Sequence, residues 1–491
     1  MSKFVGKHFL SLKFTLYSDV NQYMNNTYTD LVSQTFNFPQ EDFEVQENNL
    51  LFNGIDLRAL IDKYGTPMKV SYLPKIGMQI NKAKKMFENA FKKHRYEGKY
   101  NYCYCTKSSH FAFVVEEALK HDIHLETSYA YDIEIIKKLY EKKKVNKDTF
   151  IICNGFKQKL YTRNIASLIN SGFKNVIPIL DNKDELINYK RSVKQPFKLG
   201  IRIAAEEEPS FPFYTSRLGF RARDVLEFYV DQIEGNEDKF QLKMLHIFLN
   251  KGIKDDIYYW SELNKVINLY CQLKKICPEL DSINIGGGFP IKHSLAFEYD
   301  YQFMINEIVG NIKKACKKNK VPMPNIFTEF GSYTVGESMA HIYSVIGHKV
   351  QNDREIWYMI DSSFITTLPD TWGIGEKFLM LPINKWDKEY QRVVLGGITC
   401  DSHDYYDSEE HVNEVFLPKV SEDDKEPLYL GFFHTGAYQD QISGYGGIKH
   451  CLIPSPKHII IEKDKNGKLV DWVYAKEQSA QSMLKILGYI K

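Results

Sequence analysis

From about residue 98 to residue 330, short runs of β-branched and aromatic residues alternate with longer stretches whose apolar positions recur every three or four residues. A strand buried on both faces reads as a short apolar run, whereas a helix lying on a sheet shows a single apolar stripe. The runs predict eight strands: Tyr100–Cys105, His124–Ser128, Thr149–Cys153, Val176–Leu180, Lys198–Ile203, Lys243–Phe248, Ser282–Gly286 and Asn325–Phe330. Trp260, Leu263, Ile267, Tyr270 and Leu273 share one helical face between two of them. Eight strands with helical crossovers predict an α/β chain built on a closed (β/α)₈ TIM-like barrel, with an open doubly wound sheet as the alternative. After Gly331 the pattern changes. The runs Ile342–Ile346, Trp357–Ile360, Arg392–Leu395, Leu428–Phe433 and His458–Ile461 come without long helices, which predicts a C-terminal mostly-β domain. Leu50–Phe52 and Lys69–Tyr72, ahead of the barrel, are expected to add strands to it. The expected organisation is an extension over 1–23, an N-terminal segment over 24–75 contributing to the β domain, the barrel over 76–335 and the β domain over 336–491.

Composition narrows the function. Lys and Arg number 64 against 62 Asp and Glu, so the formal charge of +2 gives no field that would draw nucleic acid or an anionic membrane surface. With 43% hydrophobic and 26% charged residues the balance is that of a soluble globular protein, and no run reaches the 18 or so apolar residues of a membrane span. The eight cysteines show neither a CxxC pair nor a Cys/His cluster at zinc spacing, so a reduced cytoplasmic protein without a metal is expected. Residues 1–23 carry Lys3, Lys7 and Lys13 with no acid before Asp19, yet they contain no arginine and no cleavage signal; an extension ahead of an alternative start at Met24 is expected.

In a barrel enzyme the working groups sit where strands end at the carboxyl face. The first predicted strand ends in Tyr104-Cys105-Thr106-Lys107. A lysine there would project into the barrel mouth, where partial desolvation lowers an ammonium's pKa and frees the amine to attack a carbonyl. Most lysines are solvated, so Lys107 alone decides nothing. The seventh strand runs into Gly286-Gly287-Gly288, whose backbone N–H groups could cradle a phosphate. The eighth ends at Glu329, a carboxylate at the same mouth. An amine, a phosphate cradle and an acid able to hold a ring proton are the three parts pyridoxal 5'-phosphate needs.

The chain here resembles the fold-type III pyridoxal-phosphate decarboxylases, and among them the biosynthetic arginine decarboxylases, from about residue 40 to residue 490. Ile152-Cys153-Asn154-Gly155-Phe156-Lys157, Ser216-Arg217-Leu218-Gly219 and the glycine triplet follow the lysine strand in the family's order. The C-terminal half adds Ser363-Phe364, Leu368-Pro369-Asp370-Thr371-Trp372, Thr399-Cys400-Asp401-Ser402, Leu430-Gly431-Phe432-Phe433 and Gly436-Ala437-Tyr438-Gln439. Taken singly, Cys400 reads as a buried core thiol and Asp370 as a helix cap.

The resemblance implies an alanine racemase-like barrel binding pyridoxal phosphate, a C-terminal domain that completes the site, and a head-to-tail homodimer with shared active sites. It implies Lys107 as the cofactor lysine, Cys400 of the other subunit as the acid returning a proton to the α-carbon, and Glu329 as the partner of the ring nitrogen. Phe248, Gly286, Gly287, Gly288 and Tyr438 complete the cofactor contacts, and Asp401 and Asp370 are the candidates for the substrate's guanidinium. The chain departs from the family twice. The family's ring-stacking His-x-Gly-Ser run is His246-Ile247-Phe248-Leu249, which by register puts the stacking position on Phe248. The family's Glu-Pro-Gly-Arg is Glu329-Phe330-Gly331-Ser332, so the phosphate-gripping arginine is absent and Lys251, Tyr438 or the glycines take its place. The implied activity is decarboxylation of L-arginine to agmatine and carbon dioxide in polyamine biosynthesis. The alternatives are ornithine, lysine or diaminopimelate as substrate, a racemase on the same barrel, and a non-catalytic homologue or regulatory subunit.

Overall fold

In the computed structural model, residues 26–206, 216–249, 256–352, 354–406 and 415–491 are described. The expected extension over residues 1–23 and the candidate phosphate partner Lys251 lie outside them. Eight parallel strands close into a barrel in chain order: Tyr100–Cys105, His124–Thr127, Ile151–Cys153, Val176–Leu180, Phe197–Ile203, Phe240–Ile247, Ser282–Asn284 and Asn325–Phe330. Closure rests on the eighth strand pairing with the first, Glu329 opposite Cys103 and Phe330 opposite Tyr104, which rules out the open sheet. Alternation along the strands separates two cores. Leu125, Leu199, Ile201, Leu245 and Ile283 face the helical layer, whereas Cys103, Ile152, Ile177, Ile179, Met244 and Phe327 form a separate apolar cluster filling the barrel interior. The helix Asp256–Leu273 buries Leu263, Ile267, Tyr270 and Leu273, as its stripe predicts.

The second region is a sheet of ten strands among the described residues. The strand Met68–Tyr72 enters it from ahead of the barrel, antiparallel to Met339–Gln351 and parallel to Lys457–Lys463. Leu50–Phe52, expected to add a strand to the β domain, does not join this large sheet. It belongs to the strand Asn49–Phe52, which pairs with Phe43–Gln46 and Ile55–Asp56 in a small sheet of its own. The cause is local. Glu47-Asn48 and Asn53-Gly54 form two-residue turns with positive φ throughout, the conformation that closes tight hairpins. Phe43, Leu50 and Phe52 of this sheet then pack with Val70, Ile342, Phe433 and Ile459 of the large one.

His458 is fully buried in the large sheet, with Nε2 2.8 Å from Ser71 Oγ. Burial, reinforced by the neighbouring Lys69 ammonium, pushes its pKa down to about 3 from the ordinary 6.5. The unfolded chain therefore takes up this proton first, so stability is lost as pH falls below about 6.5 and the loss continues towards pH 3. The linkage amounts to about 2 kcal/mol at pH 5. Urea unfolding at pH 7 and pH 5 is expected to show a drop in the parent that shrinks by about this amount in His458→Asn. An equal drop in both proteins would refute it.

Candidate active site

The first barrel strand ends in a 3₁₀ turn, Thr106–Ser108, that presents Lys107 at the mouth. The turn is pinned on both sides: Thr106 Oγ1 donates to the Glu126 carbonyl at 3.0 Å and Ser108 Oγ to the Cys105 carbonyl at 2.7 Å. Lys107 Nζ lies 3.2 Å from Oε2 of Glu126, whose side chain is wholly buried, and 3.5 Å from Ser128 Oγ. Ser128 Oγ donates in turn to Glu126 Oε1 at 2.7 Å. Burial alone would push the ammonium's pKa down, as expected from its position. The carboxylate of Glu126, followed by Cys105 and Glu329, outweighs burial and holds it above its ordinary value. In the free chain Lys107 is thus a paired cation.

Glu329, near the end of the eighth strand, is buried and accepts hydrogen bonds from Asn154 Nδ2 at 2.8 Å to each oxygen and from Asn284 Nδ2 at 2.5 Å. Its pKa is pushed up to about 7, first by burial and then by the nearby Glu126 charge, against the opposing effect of Lys107. His246 Nδ1 stands 3.6 Å from Glu329 Oε1, and neither ring nitrogen has a hydrogen-bond partner of good geometry. Burial, then the charges of Arg202 and Lys107, keeps this ring neutral. Cys105, Glu126 and Glu329 bring their ligand atoms within 4.8 Å of one another, so two acids share the inner end of the mouth.

The glycine triplet lies tight against its neighbours. Gly286 and Gly288 hold φ of 70° and 91°, which L side chains rarely adopt. A Cβ on Gly287 would stand 2.5 Å from the Glu329 carbonyl oxygen. These features open a cavity of about 350 Å³ whose walls include Lys107, Phe248, Gly287, Gly288, Glu329 and Tyr438. Gly286 is not part of that wall; a Cβ on it would stand 2.6 Å from the Ile247 carbonyl oxygen. Phe248 is 37% exposed at the rim, with the Arg202 guanidinium 5.9 Å from its ring centroid. Tyr438 takes a φ of 69° and donates its backbone N–H to the Ser108 carbonyl at 2.8 Å, tying the C-terminal region to the lysine turn. Burial pushes its phenol up to about 12 despite the nearby Lys107. Asp370 lines the same cavity and accepts from Gln439 Nε2 at 2.7 Å; burial raises its pKa, and the neighbouring Glu376, also on the wall, adds to the rise.

Cys400 and Asp401 stand apart from this cavity. Cys400 is exposed rather than a core thiol, with its Sγ 3.5 Å from Cys451 Sγ. Asp401 Oδ1 accepts from the His403 backbone N–H at 2.8 Å, which first among its contacts lowers its pKa. The structure thus gathers Lys107, Phe248, the glycines, Glu329, Tyr438 and Asp370, and leaves Cys400 and Asp401 outside. It adds Glu126, Asn284 and Glu376, which the sequence did not single out, and gives a place at the site to Asn154 and His246, which stood there only within motif runs.

The family model described as "Pyridoxal-dependent decarboxylase, pyridoxal binding domain" matches residues 78–336, the barrel that carries Lys107 and Glu329. The chain belongs to the pyridoxal-dependent decarboxylases. Similar proteins include the biosynthetic arginine decarboxylase of Phocaeicola vulgatus, 22% identical over 559 residues with 89% of this chain and 86% of that protein covered. That of Shewanella piezotolerans is 22% identical over 523 residues, covering 82% and 80%. Among solved structures, the biosynthetic arginine decarboxylase of Campylobacter jejuni superposes with a TM-score of 0.77 at 21% identity, covering 94% of this chain and 90% of that one. Diaminopimelate decarboxylase of M. jannaschii with L-lysine gives 0.73 at 18% identity, covering 90% and 97%. Among the described residues no helix is long and apolar enough to cross a membrane.

The residues present in this pyridoxal-dependent decarboxylase fit the cofactor. The cavity offers one amine, an acid at its inner end and a glycine loop with no room for side chains, and the buried neutral imidazole of His246 stands 3.6 Å from that acid.

Proposed function

We propose that this decarboxylase acts on L-arginine, releasing carbon dioxide and forming agmatine for polyamine biosynthesis. The observation that carries the reading is the acidic wall formed by Asp370 and Glu376 in the cavity that holds Lys107. A guanidinium keeps its charge at all accessible pH and presents a planar fork of donors, so it needs carboxylates where it is buried. Likeness along most of the chain to proteins named biosynthetic arginine decarboxylase supports the same substrate.

Pyridoxal phosphate supplies the electron sink that lets an α-carboxylate leave as carbon dioxide. We assign Lys107 to hold the cofactor's aldehyde carbon, Glu329 to its ring nitrogen, and the Gly286–Gly288 loop with Tyr438 to its phosphate; His246 as well as Phe248 offers a flat face for its ring. Glu126 orients the Lys107 amine and supplies the negative charge that stabilises it as a cation. Glu329 is a buried acid poised near neutrality, which a positive ring nitrogen would hold ionised. Asp370 pairs with the distal guanidinium, and Gln439 fixes its rotamer. The enzyme works in the cytoplasm, a placement supported by eight cysteines that form no disulfide.

Cys400 is the acid that returns a proton to the α-carbon, and it reaches the cavity of a second copy in a head-to-tail homodimer, with Asp401 beside it. Cys400 is exposed and Asp401 half-buried, both away from their own chain's cavity, which supports this arrangement. Mixing inactive Lys107→Ala chains with inactive Cys400→Ala chains is therefore expected to restore activity, because one of the two sites in each mixed dimer receives both intact residues. If subunit exchange is confirmed and activity stays at the level of the parents, the shared site is wrong. Carbon dioxide release from arginine, ornithine, lysine and diaminopimelate tests the substrate. Preference for any of the last three would overturn arginine and leave the decarboxylase.

A further inference from the structure

Six of the eight cysteines are buried, and the two exposed ones, Cys400 and Cys451, are in contact with each other. Their sulfurs are 3.5 Å apart, too far for a bond and close to the separation of two thiolates on one tetrahedral zinc ion, about 3.7 Å for metal–sulfur bonds of about 2.3 Å. A ring nitrogen of His450 completes a triad whose ligand atoms all lie within 4.8 Å of one another. Asp401 Oδ2, 3.8 Å from His450 Nε2, adds a negative charge beside them.

Both arms of the triad are fastened to the same piece of the β domain. Asp404, which follows Cys400 in its loop, is buried and accepts from Thr399 N at 3.1 Å, Thr399 Oγ1 at 2.6 Å, Ser363 Oγ at 3.1 Å and Phe364 N at 2.8 Å. Lys449, which precedes His450, is also buried and donates Nζ to the Thr366 carbonyl at 2.7 Å. The short helix Phe364–Thr367 is thus a common anchor that holds three donors from distant parts of the chain in one place. Ligands fixed in this way lose little freedom on binding a cation. Their linear spacing hides the site, because Cys400 is separated from His450-Cys451 by some fifty residues.

We propose that Cys400, His450 and Cys451 bind a borderline-soft divalent cation of the zinc class. Two thiols and one imidazole suit zinc over magnesium or calcium, which take oxygen ligands. Binding releases both thiol protons, leaving two thiolates that balance the charge of the cation, with a water molecule free to occupy the fourth position. The consequence for catalysis rests on the proposed role of Cys400: a thiolate held by metal has no proton to return to the α-carbon, so the cation inhibits turnover reversibly.

The test uses the reduced, chelator-stripped holoenzyme titrated with cobalt(II), followed by difference absorbance. The parent is expected to take up one cobalt per chain with a thiolate-to-cobalt charge-transfer band, and to lose it when zinc is added. Cys451→Ser and His450→Ala, neither of which is assigned to the decarboxylation, are expected to lose that stoichiometric uptake. Absence of the band in the parent, or uptake by both variants equal to the parent's, overturns the metal site. Turnover is read separately: zinc should inhibit the parent and spare Cys451→Ser. If zinc displaces cobalt as expected but turnover is untouched, the site stands and the role given to Cys400 fails.

Discussion

Lys107→Ala is expected to abolish turnover, together with the borohydride-sensitive visible absorbance of covalently held pyridoxal phosphate. No other lysine lines the cavity among the described residues, so no second amine is placed to replace it. The variant also removes the cation beside buried Glu126; breaking a fully buried pair costs about 3–5 kcal/mol, and this pair, whose lysine side chain is 40% exposed, should lose less. Lys107→Arg separates the two effects, because it keeps a positive charge near Glu126 while its guanidinium cannot condense with an aldehyde under ordinary conditions. The arginine variant should therefore unfold closer to the parent's urea midpoint than the alanine variant and still be inactive. Normal turnover and an unchanged cofactor spectrum in either variant would remove Lys107 from the centre of the chemistry.

The barrel was legible because each strand is buried on both faces and therefore reads as a short apolar run. Tyr100–Cys105, Val176–Leu180 and Asn325–Phe330 were placed with their observed bounds, and the other five to within a few residues. Lys107, Glu329 and the glycine loop followed from asking what stands at strand ends. The pKa of Lys107 did not, since its direction depends on Glu126, a residue from the neighbouring strand. Glu126, His246 and Asn284 carry a signal in hindsight. Each is a polar residue at an inward-facing position of a barrel strand, a placement that burial makes costly unless the group is paired. The hairpin sheet near residue 50 had its signal in Asn53-Gly54, which favours a local turn over a long-range pairing. The pairing of Cys400 with Cys451 and His450 had none, because only the fold brings the two loops together.

Asp370→Asn is expected to lower arginine turnover by roughly one to three orders of magnitude, using about 1.4 kcal/mol per tenfold. The substitution keeps the shape of the side chain, and its amide oxygen can still accept from Gln439 Nε2, so the wall should stay in place. What disappears is the charge proposed to face the guanidinium. Removing one partner of a fully buried ion pair costs about 3–5 kcal/mol, and an open cavity with a second acid nearby should lose less. Glu376 is that second acid, which puts the single variant towards the smaller loss and Asp370→Asn with Glu376→Gln towards the larger. The fall should appear in kcat/KM for arginine with the cofactor spectrum unchanged, since neither residue is assigned to pyridoxal phosphate. Asp401→Asn tests the proposed contribution of a second copy to the same site. A comparable loss supports a guanidinium site completed across the dimer. If Asp370→Asn falls and Asp401→Asn does not, the guanidinium is held within one chain. If both turn over arginine like the parent, the distal charge is met elsewhere and arginine loses its structural support.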